Sequence, residues 1–205
     1  MMTTATVVTR VDAEHPEPMT LARAAAVLRD GGLVAFATET FYALGAAASD
    51  PAAVRRVFRI KARAESKPLL VLVDSIAMAE SLAREVTPLA RELMARHWPG
   101  ALTLILGARA DLPSELTAGT GTIGVRLSPH PVARALVRAL GGPITAPSAN
   151  REGQAPPTSA AEVLHAFDGL VDLVLDAGMT AGGLASTVVD ATAEPRVLRQ
   201  GAVGL

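Results

Sequence analysis

Three short polar segments stand where chemistry is easiest to build. Thr38-Glu39-Thr40 directly follows the apolar run Leu33 to Ala37, and Ser148-Ala-Asn150 follows the short run Ile144 to Ala146. Lys61-Ala-Arg63 closes a cationic stretch that places Arg55, Arg56, Arg59, Lys61, Arg63 and Lys67 within thirteen residues, opposed there only by Glu65. From Leu116 to Asn150 there is no Asp or Glu, yet Arg126, Arg134 and Arg138 are present. The net charge is −1, so the cations are concentrated rather than abundant, and local distribution sets the local potential more than the total does. Hydroxyls, an amide and cations suit an anion, whether RNA backbone or a nucleotide. Each segment also has a plain structural use. Thr38 to Thr40 can shape a turn, Lys61 and Arg63 can complement a helix C-terminus, and Ser148 and Asn150 can shape a turn behind Pro147.

The elements that must position these segments are legible in the pattern. Thr20 can cap a helix from about Leu21 to Arg29 with Leu21, Ala24, Ala25 and Leu28 on one face, and Gly31-Gly32 stops it. Asp50 and Pro51 open a helix running to Ile60, with Val54, Val57 and Phe58 inward. Helices are expected over 76–84, 88–97, 131–140 and 159–167, the last opened by a capping box of Ser159 and Glu162. Strands are expected at 33–37, 69–73, 102–106, 123–127, 144–146, 171–175 and 187–190. Strands alternating with helices predict an α/β domain. The short strands after residue 170 leave room for antiparallel pairing. Residues 1–16 read as an N-terminal arm or edge strand, and 17–205 as one domain with no internal linker.

Composition bounds the function. Half of the 205 residues are apolar but only 3% are aromatic, so the core is Ala, Val and Leu, and few rings are left for stacking bases. Phe36, Phe58 and Phe167 fall in apolar contexts and read as core. Cys is absent, which excludes thiolate nucleophiles, disulfides and Cys-ligated zinc and fits a cytoplasmic protein. Met1 to Pro18 lacks the apolar core of a secretion signal, and no apolar run approaches a membrane span of ~20 residues, so no membrane partner is expected. The four histidines have no ligand spacing, so no protein-ligated metal is expected.

Gly119-Thr-Gly-Thr-Ile-Gly124 matches G-x-G-x-x-G literally. A dinucleotide site needs a strand before it, a helix after it and an acid about 20 residues on. Here a strand follows and no acid appears before Glu152, so the segment reads as a Gly-rich turn.

Taken together the segments resemble the YrdC-type family of threonylcarbamoyl-AMP synthases. The resemblance rests on T-E-T-F-Y-A-L-G at 38–45, K-A-R at 61–63, K-P-L at 67–69 and W-P-G-A-L-T at 98–103. It continues through T-I-G-V-R-L at 122–127, A-P-S-A-N at 146–150, S-T-V-V-D at 186–190 and L-R-Q-G at 198–201. Eight motifs occur in order over residues 20 to 202. The resemblance implies a single YrdC-like α/β domain, a twisted mixed sheet with flanking helices around a positively charged concave cavity. It further implies the short form, without an additional C-terminal domain. The implied reaction takes L-threonine, bicarbonate and ATP, with Mg2+ accompanying the nucleotide, to threonylcarbamoyl-AMP and pyrophosphate. The product feeds a tRNA modification, through weak tRNA contact or a threonylcarbamoyl-transferase partner.

By the same resemblance, Thr38, Lys67, Arg126 and Ser186 bind L-threonine. Lys61, Arg63, Ser148 and Asn150 are the catalytic set, and with Thr122 and Arg199 they hold ATP. The chain departs from the family's usual residues at Ala37, Ala43, Ala64, Ala101, Glu152 and Ala185, where Pro, Gly, Pro, Pro, Ser and Glu are common. An RNA-binding module of this fold without turnover, a paralogous carbamoyl- or adenylyl-transfer enzyme with another substrate, and a non-catalytic partner are the alternatives that the residues leave open.

Overall fold

Turn residues and apolar runs divide the chain into short strands joined by helices in a computed structural model that describes residues 5–64 and 68–204. The strands are β1 (Val7–Arg10), β2 (Val34–Ala37), β3 (Tyr42–Gly45), β4 (Leu70–Leu72), β5 (Ala83–Glu85), β6 (Leu102–Ala108), β7 (Thr122–Arg126), β8 (Ile144–Thr145), β9 (Leu173–Asp176), β10 (Thr187–Asp190) and β11 (Arg196–Arg199). The helices are α1 (Pro18–Arg29), α2 (Pro51–Lys61), α3 (Ile76–Leu82), α4 (Pro88–His97), α5 (Ser114–Thr117), α6 (Pro131–Leu140) and α7 (Ala160–Phe167). No described helix is long and apolar enough to cross a membrane.

Two mixed sheets form. The smaller has the order β1-β9-β2-β3, and the larger β11-β10-β6-β7-β4-β8 with β5 added to β6. After residue 170, β9 pairs parallel with β1 and β2, β10 pairs parallel with β6, and only β11 runs antiparallel to its neighbour. The sheets meet where β3 runs beside the segment after β8: Leu44 N–H donates to Pro147 O at 2.8 Å, and Ala149 N–H to Tyr42 O at 2.8 Å. The loop carrying Ser148 is thereby fixed to the strand that follows Thr38 to Thr40.

Period-two alternation gives the larger sheet two different faces. Leu102, Leu104 and Leu106, with Ile123, Val125 and Val71, are buried in the main core. Their neighbours Thr103, Ile105, Gly124, Arg126 and Leu70 face the opposite way and line a cleft. A second apolar cluster joins α1 and α6 to the smaller sheet through Leu21, Leu28, Phe36, Leu136 and Val137. Phe36, Phe58 and Phe167 are buried, as expected of core residues. Truncating such a ring to Ala typically costs about 3–5 kcal/mol.

Most boundaries lie within one or two residues of the sequence pattern. Helix α1 departs from it by starting at Pro18 rather than after Thr20; Glu17 precedes it without a side-chain cap. Proline at the first helical position is already set at a helical φ, so a later cap is not needed. In α7, Ser159 Oγ accepts from Glu162 N–H as a capping box requires, but the Glu162 carboxylate accepts from Thr158 N–H at 2.6 Å, one residue upstream. The Gly-rich segment is a turn: Gly119 and Gly121 take φ of 67° and 69°, and β7 begins at Thr122.

Candidate active site

The cleft has a volume of about 270 Å³ and lies on the β10-β6-β7-β4 surface. Its walls come from Thr38 and Thr40 to Ala43, from Lys61 and Arg63 at the end of α2, and from Ala146 to Ser148. Ala185, Ser186 and Arg199 close it. Among the described residues its charged lining is Lys61, Arg63, Arg126 and Arg199, with no carboxylate.

The way α2 ends aims the first two cations. Asp50 starts the helix by accepting from Ala52 N–H at 2.9 Å and Ala53 N–H at 3.2 Å. At the other end Ala62 adopts φ 52°, ψ 38°, the left-handed region. Ala62 N–H then donates to Arg59 O and Arg63 N–H to Phe58 O, at 3.2 and 3.1 Å. This paired pattern is a Schellman stop, and the reversal it forces leaves both Lys61 and Arg63 lining the cleft.

Lys61 is only 3% exposed. Its Nζ donates to Asn150 O at 2.6 Å and to Ser148 O, so the loop after β8 binds the lysine through backbone carbonyls. Burial, helped by the adjacent Arg63 and opposed by Glu152, brings its pKa down to about 8. Arg63 donates through Nη2 to Pro68 O at 3.2 Å, while its buried Nε has no hydrogen-bond partner among the described residues. Burial lowers its pKa and Glu152 counteracts that.

On β7, Arg126 is 4% exposed, and its Nε lies 3.7 Å from Glu39 Oε1. Burial lowers its pKa, Glu39 opposes the shift, and Arg199 adds to it. Thr38 Oγ1 donates to Phe41 O at 2.7 Å and accepts from the Thr40 and Phe41 N–H groups, so it both shapes its turn and lines the cleft. Ser186 Oγ lies 2.9 Å from Thr103 Oγ1, and Arg199 Nη2 donates to that same Ser186 Oγ at 3.1 Å. Arg199 also donates to Ser186 O through Nε and Nη2, at 3.1 and 2.9 Å.

Seven of the residues named from sequence therefore meet around one cavity: Thr38, Lys61, Arg63, Arg126, Ser148, Ser186 and Arg199. Asn150 and Thr122 are not in the lining. Asn150 Nδ2 donates to Arg151 O and Gln154 O at 2.9 and 2.8 Å, and Thr122 Oγ1 pairs with Thr120 Oγ1 at 2.8 Å. Lys67 lies outside the described residues. Sequence reasoning missed Thr103 and gave Glu39 no role. A threonine between Leu102 and Leu104 in a buried strand was the available signal, because alternation puts it on the face away from the core.

The Sua5/YciO/YrdC family profile, described as "Telomere recombination", matches residues 26–201. A threonylcarbamoyl-AMP synthase of Bacillus subtilis is 43% identical over 89% of this chain, which spans 54% of that relative's length. One from Thiobacillus denitrificans is 36% identical over 85% of this chain and 92% of its own. The crystal structure of Pyrococcus abyssi Sua5 complexed with L-threonine matches with a TM-score of 0.92 at 41% identity, covering 96% of this chain and 58% of that one. With both sequence and fold matched over nearly its whole length, the chain belongs to the Sua5/YciO/YrdC family.

Proposed function

We propose that this protein is an L-threonylcarbamoyladenylate synthase, converting L-threonine, bicarbonate and ATP to threonylcarbamoyl-AMP, pyrophosphate and water. The observation that carries the reading is the convergence of Lys61 and Arg63 from the end of α2, Arg126 from β7 and Arg199 from β11 on one cleft that also presents Thr38, Ser148 and Ser186. The names of the relatives, and the threonine bound by the Pyrococcus protein, agree with it.

The reaction needs a small zwitterion and a triphosphate side by side. Arg126 pairs with the threonine carboxylate, since a guanidinium can meet both oxygens at once. Thr38 and Ser186, with Lys67, complete that subsite. Carboxylation of the threonine amine gives a carbamate whose oxygen attacks the α-phosphorus of ATP; the α–β phosphoanhydride bond breaks and pyrophosphate leaves. Lys61 and Arg63 neutralise phosphate charge as it develops, Ser148 donates a neutral hydrogen bond and Arg199 holds the nucleotide, while Asn150 acts through the backbone carbonyl that accepts from Lys61. The protein's contribution is placement and charge stabilisation rather than covalent catalysis.

No three His, Asp or Glu side chains converge among the described residues, and the cleft lining offers cations and hydroxyls. These residues do not fit a protein-held cation, so Mg2+ enters on the phosphates of ATP. The product is a reactive mixed anhydride, which a threonylcarbamoyl transferase must collect for tRNA, directly or with weak tRNA contact here.

The test is incubation of purified protein with ATP, bicarbonate, magnesium and single amino acids, with mass detection of adenylates and pyrophosphate. The expected result is a threonine-dependent threonylcarbamoyl adenylate. ATP consumption indifferent to threonine, or none, overturns the assignment.

A further inference from the structure

Behind the cleft, Glu39 stands where the threonine reading leaves it without a task. Its Oε2 accepts from Ser128 Oγ. Its Oε1 is buried without a hydrogen-bond partner among the described residues, and the same holds for Arg126 Nε, 3.7 Å away. Glu39 does not line the cleft; Arg126 does. The arrangement therefore has two layers, with a cation facing the cavity and a carboxylate tethered behind it.

The physical problem is Arg126. A guanidinium that is 4% exposed has lost most of its hydration, and without a nearby opposite charge it has every reason to rotate toward solvent. Arg199 repels it. A guanidinium carries five donors in one plane. Nε can face Glu39 while the remaining donors stay free for a ligand, so the carboxylate holds the head group without using the fork that a substrate carboxylate needs.

We propose that Glu39 is a positioning residue: through its charge it orients Arg126 for an α-amino-acid carboxylate, and Ser128 in turn fixes Glu39. This inference rests on the synthase reading. It predicts a specific signature, because the nucleotide cations Lys61 and Arg63 lie on a different wall. Glu39→Gln keeps the size of the side chain and an acceptor for Ser128 while removing the charge. Its expected effect is a rise of about tenfold to a hundredfold in KM for threonine, with the KM for ATP changed less than about twofold. Glu39→Asp, which restores charge one methylene short, should recover part of the loss. Ser128→Ala should shift the threonine KM in the same direction by less.

The opposite outcome is physically reasonable and would refute the idea. If Glu39 instead competes with substrate for Arg126, Glu39→Gln lowers the threonine KM; if it is mere packing, threonine and ATP constants move together or not at all. Thermal melting monitors folding, and should Glu39→Gln fail to fold, Ser128→Ala carries the same test. Failure of the parent reading looks different, since the unaltered protein would then make no threonine-dependent adenylate.

Discussion

The cations of α2 have two fates. Along the body of the helix, Arg55 pairs with Glu115, and Arg56 bonds Asp172 at 3.1 Å and Gly31 O at 2.9 Å. At its end, Lys61 and Arg63 line the cleft, touching backbone carbonyls and no carboxylate that completes an ion pair within 4 Å among the described residues. All four lie within nine residues of sequence. What separates them is where the helix stops: a left-handed residue at Ala62 turns the chain, and the charge goes where the turn aims it. Positive charge along a chain thus marks a region, while local backbone conformation picks the members that stay available to a ligand.

Removing the two sets should break this contrast most visibly. Lys61→Ala and Arg63→Ala should each lower threonine-dependent pyrophosphate release by ~10²–10³, the usual loss when a preorganised donor to developing phosphate charge is deleted. Arg55→Gln and Arg56→Gln should retain activity within about twofold and cost less than about 1 kcal/mol of stability, as exposed ion pairs do. Equal losses from both sets would mean that the whole helix, rather than its end, supplies the field.

Much of this was legible in the sequence, and the reasons are local. Asp50-Pro51 announces α2 because both residues act within one turn, and the apolar stripe Val54, Val57 and Phe58 keeps its period. T-E-T, K-A-R and S-A-N could be marked because each puts polar groups at the end of a strand or helix, and although any one alone could serve a turn or a helix end, the three occur together. The all-apolar pairing of β3 gave no such signal: Tyr42, Ala43 and Leu44 are buried on both faces, so no alternation shows. The left-handed turn at Ala62 was equally silent, since nothing but the missing glycine could hint at it. Nor could spacing reveal that Lys61 meets the carbonyls of Ser148 and Asn150, 87 and 89 residues away. Ala43, where the family commonly has Gly, sits in regular β3 without a positive φ, so that departure leaves the backbone unstrained.

The second way to sharpen the contrast uses pH, which should touch only the helix end. Burial, then Arg63, lower the Lys61 pKa from 10.5 to about 8. Between those values the unfolded chain holds a proton that the folded chain has released, so burying Lys61 costs stability at neutral pH and the cost shrinks as pH rises from about 8. Activity should move oppositely, because phosphate needs the ammonium. In the free enzyme kcat/KM for ATP should fall by about tenfold per pH unit above about 8, whereas kcat at saturating ATP should fall less, since bound phosphate favours the charged form. A kcat/KM flat to about pH 9.5 would assign the phosphate work to the arginines.

The smallest expected effect tests the turn itself. Ala62 holds φ 52° with a Cβ that this region penalises, a strain of about 1–2 kcal/mol that glycine would not carry. Glycine also gains freedom in the unfolded chain, which returns roughly 0.4–1 kcal/mol of that advantage. The balance predicts that Ala62→Gly raises stability by about 0.5–1 kcal/mol, read as a higher Tm, with activity unchanged because Lys61 and Arg63 still leave the helix through the same pair of hydrogen bonds. Ala62→Val should do the reverse, since a β-branched side chain is poorly tolerated at positive φ. It should also lose activity beyond its loss of stability, because a shifted turn misdirects both cations. If Ala62→Val destabilises the fold yet leaves turnover per folded molecule intact, the aim of Lys61 and Arg63 must come from the 148–150 carbonyls and Pro68 rather than from the way α2 ends.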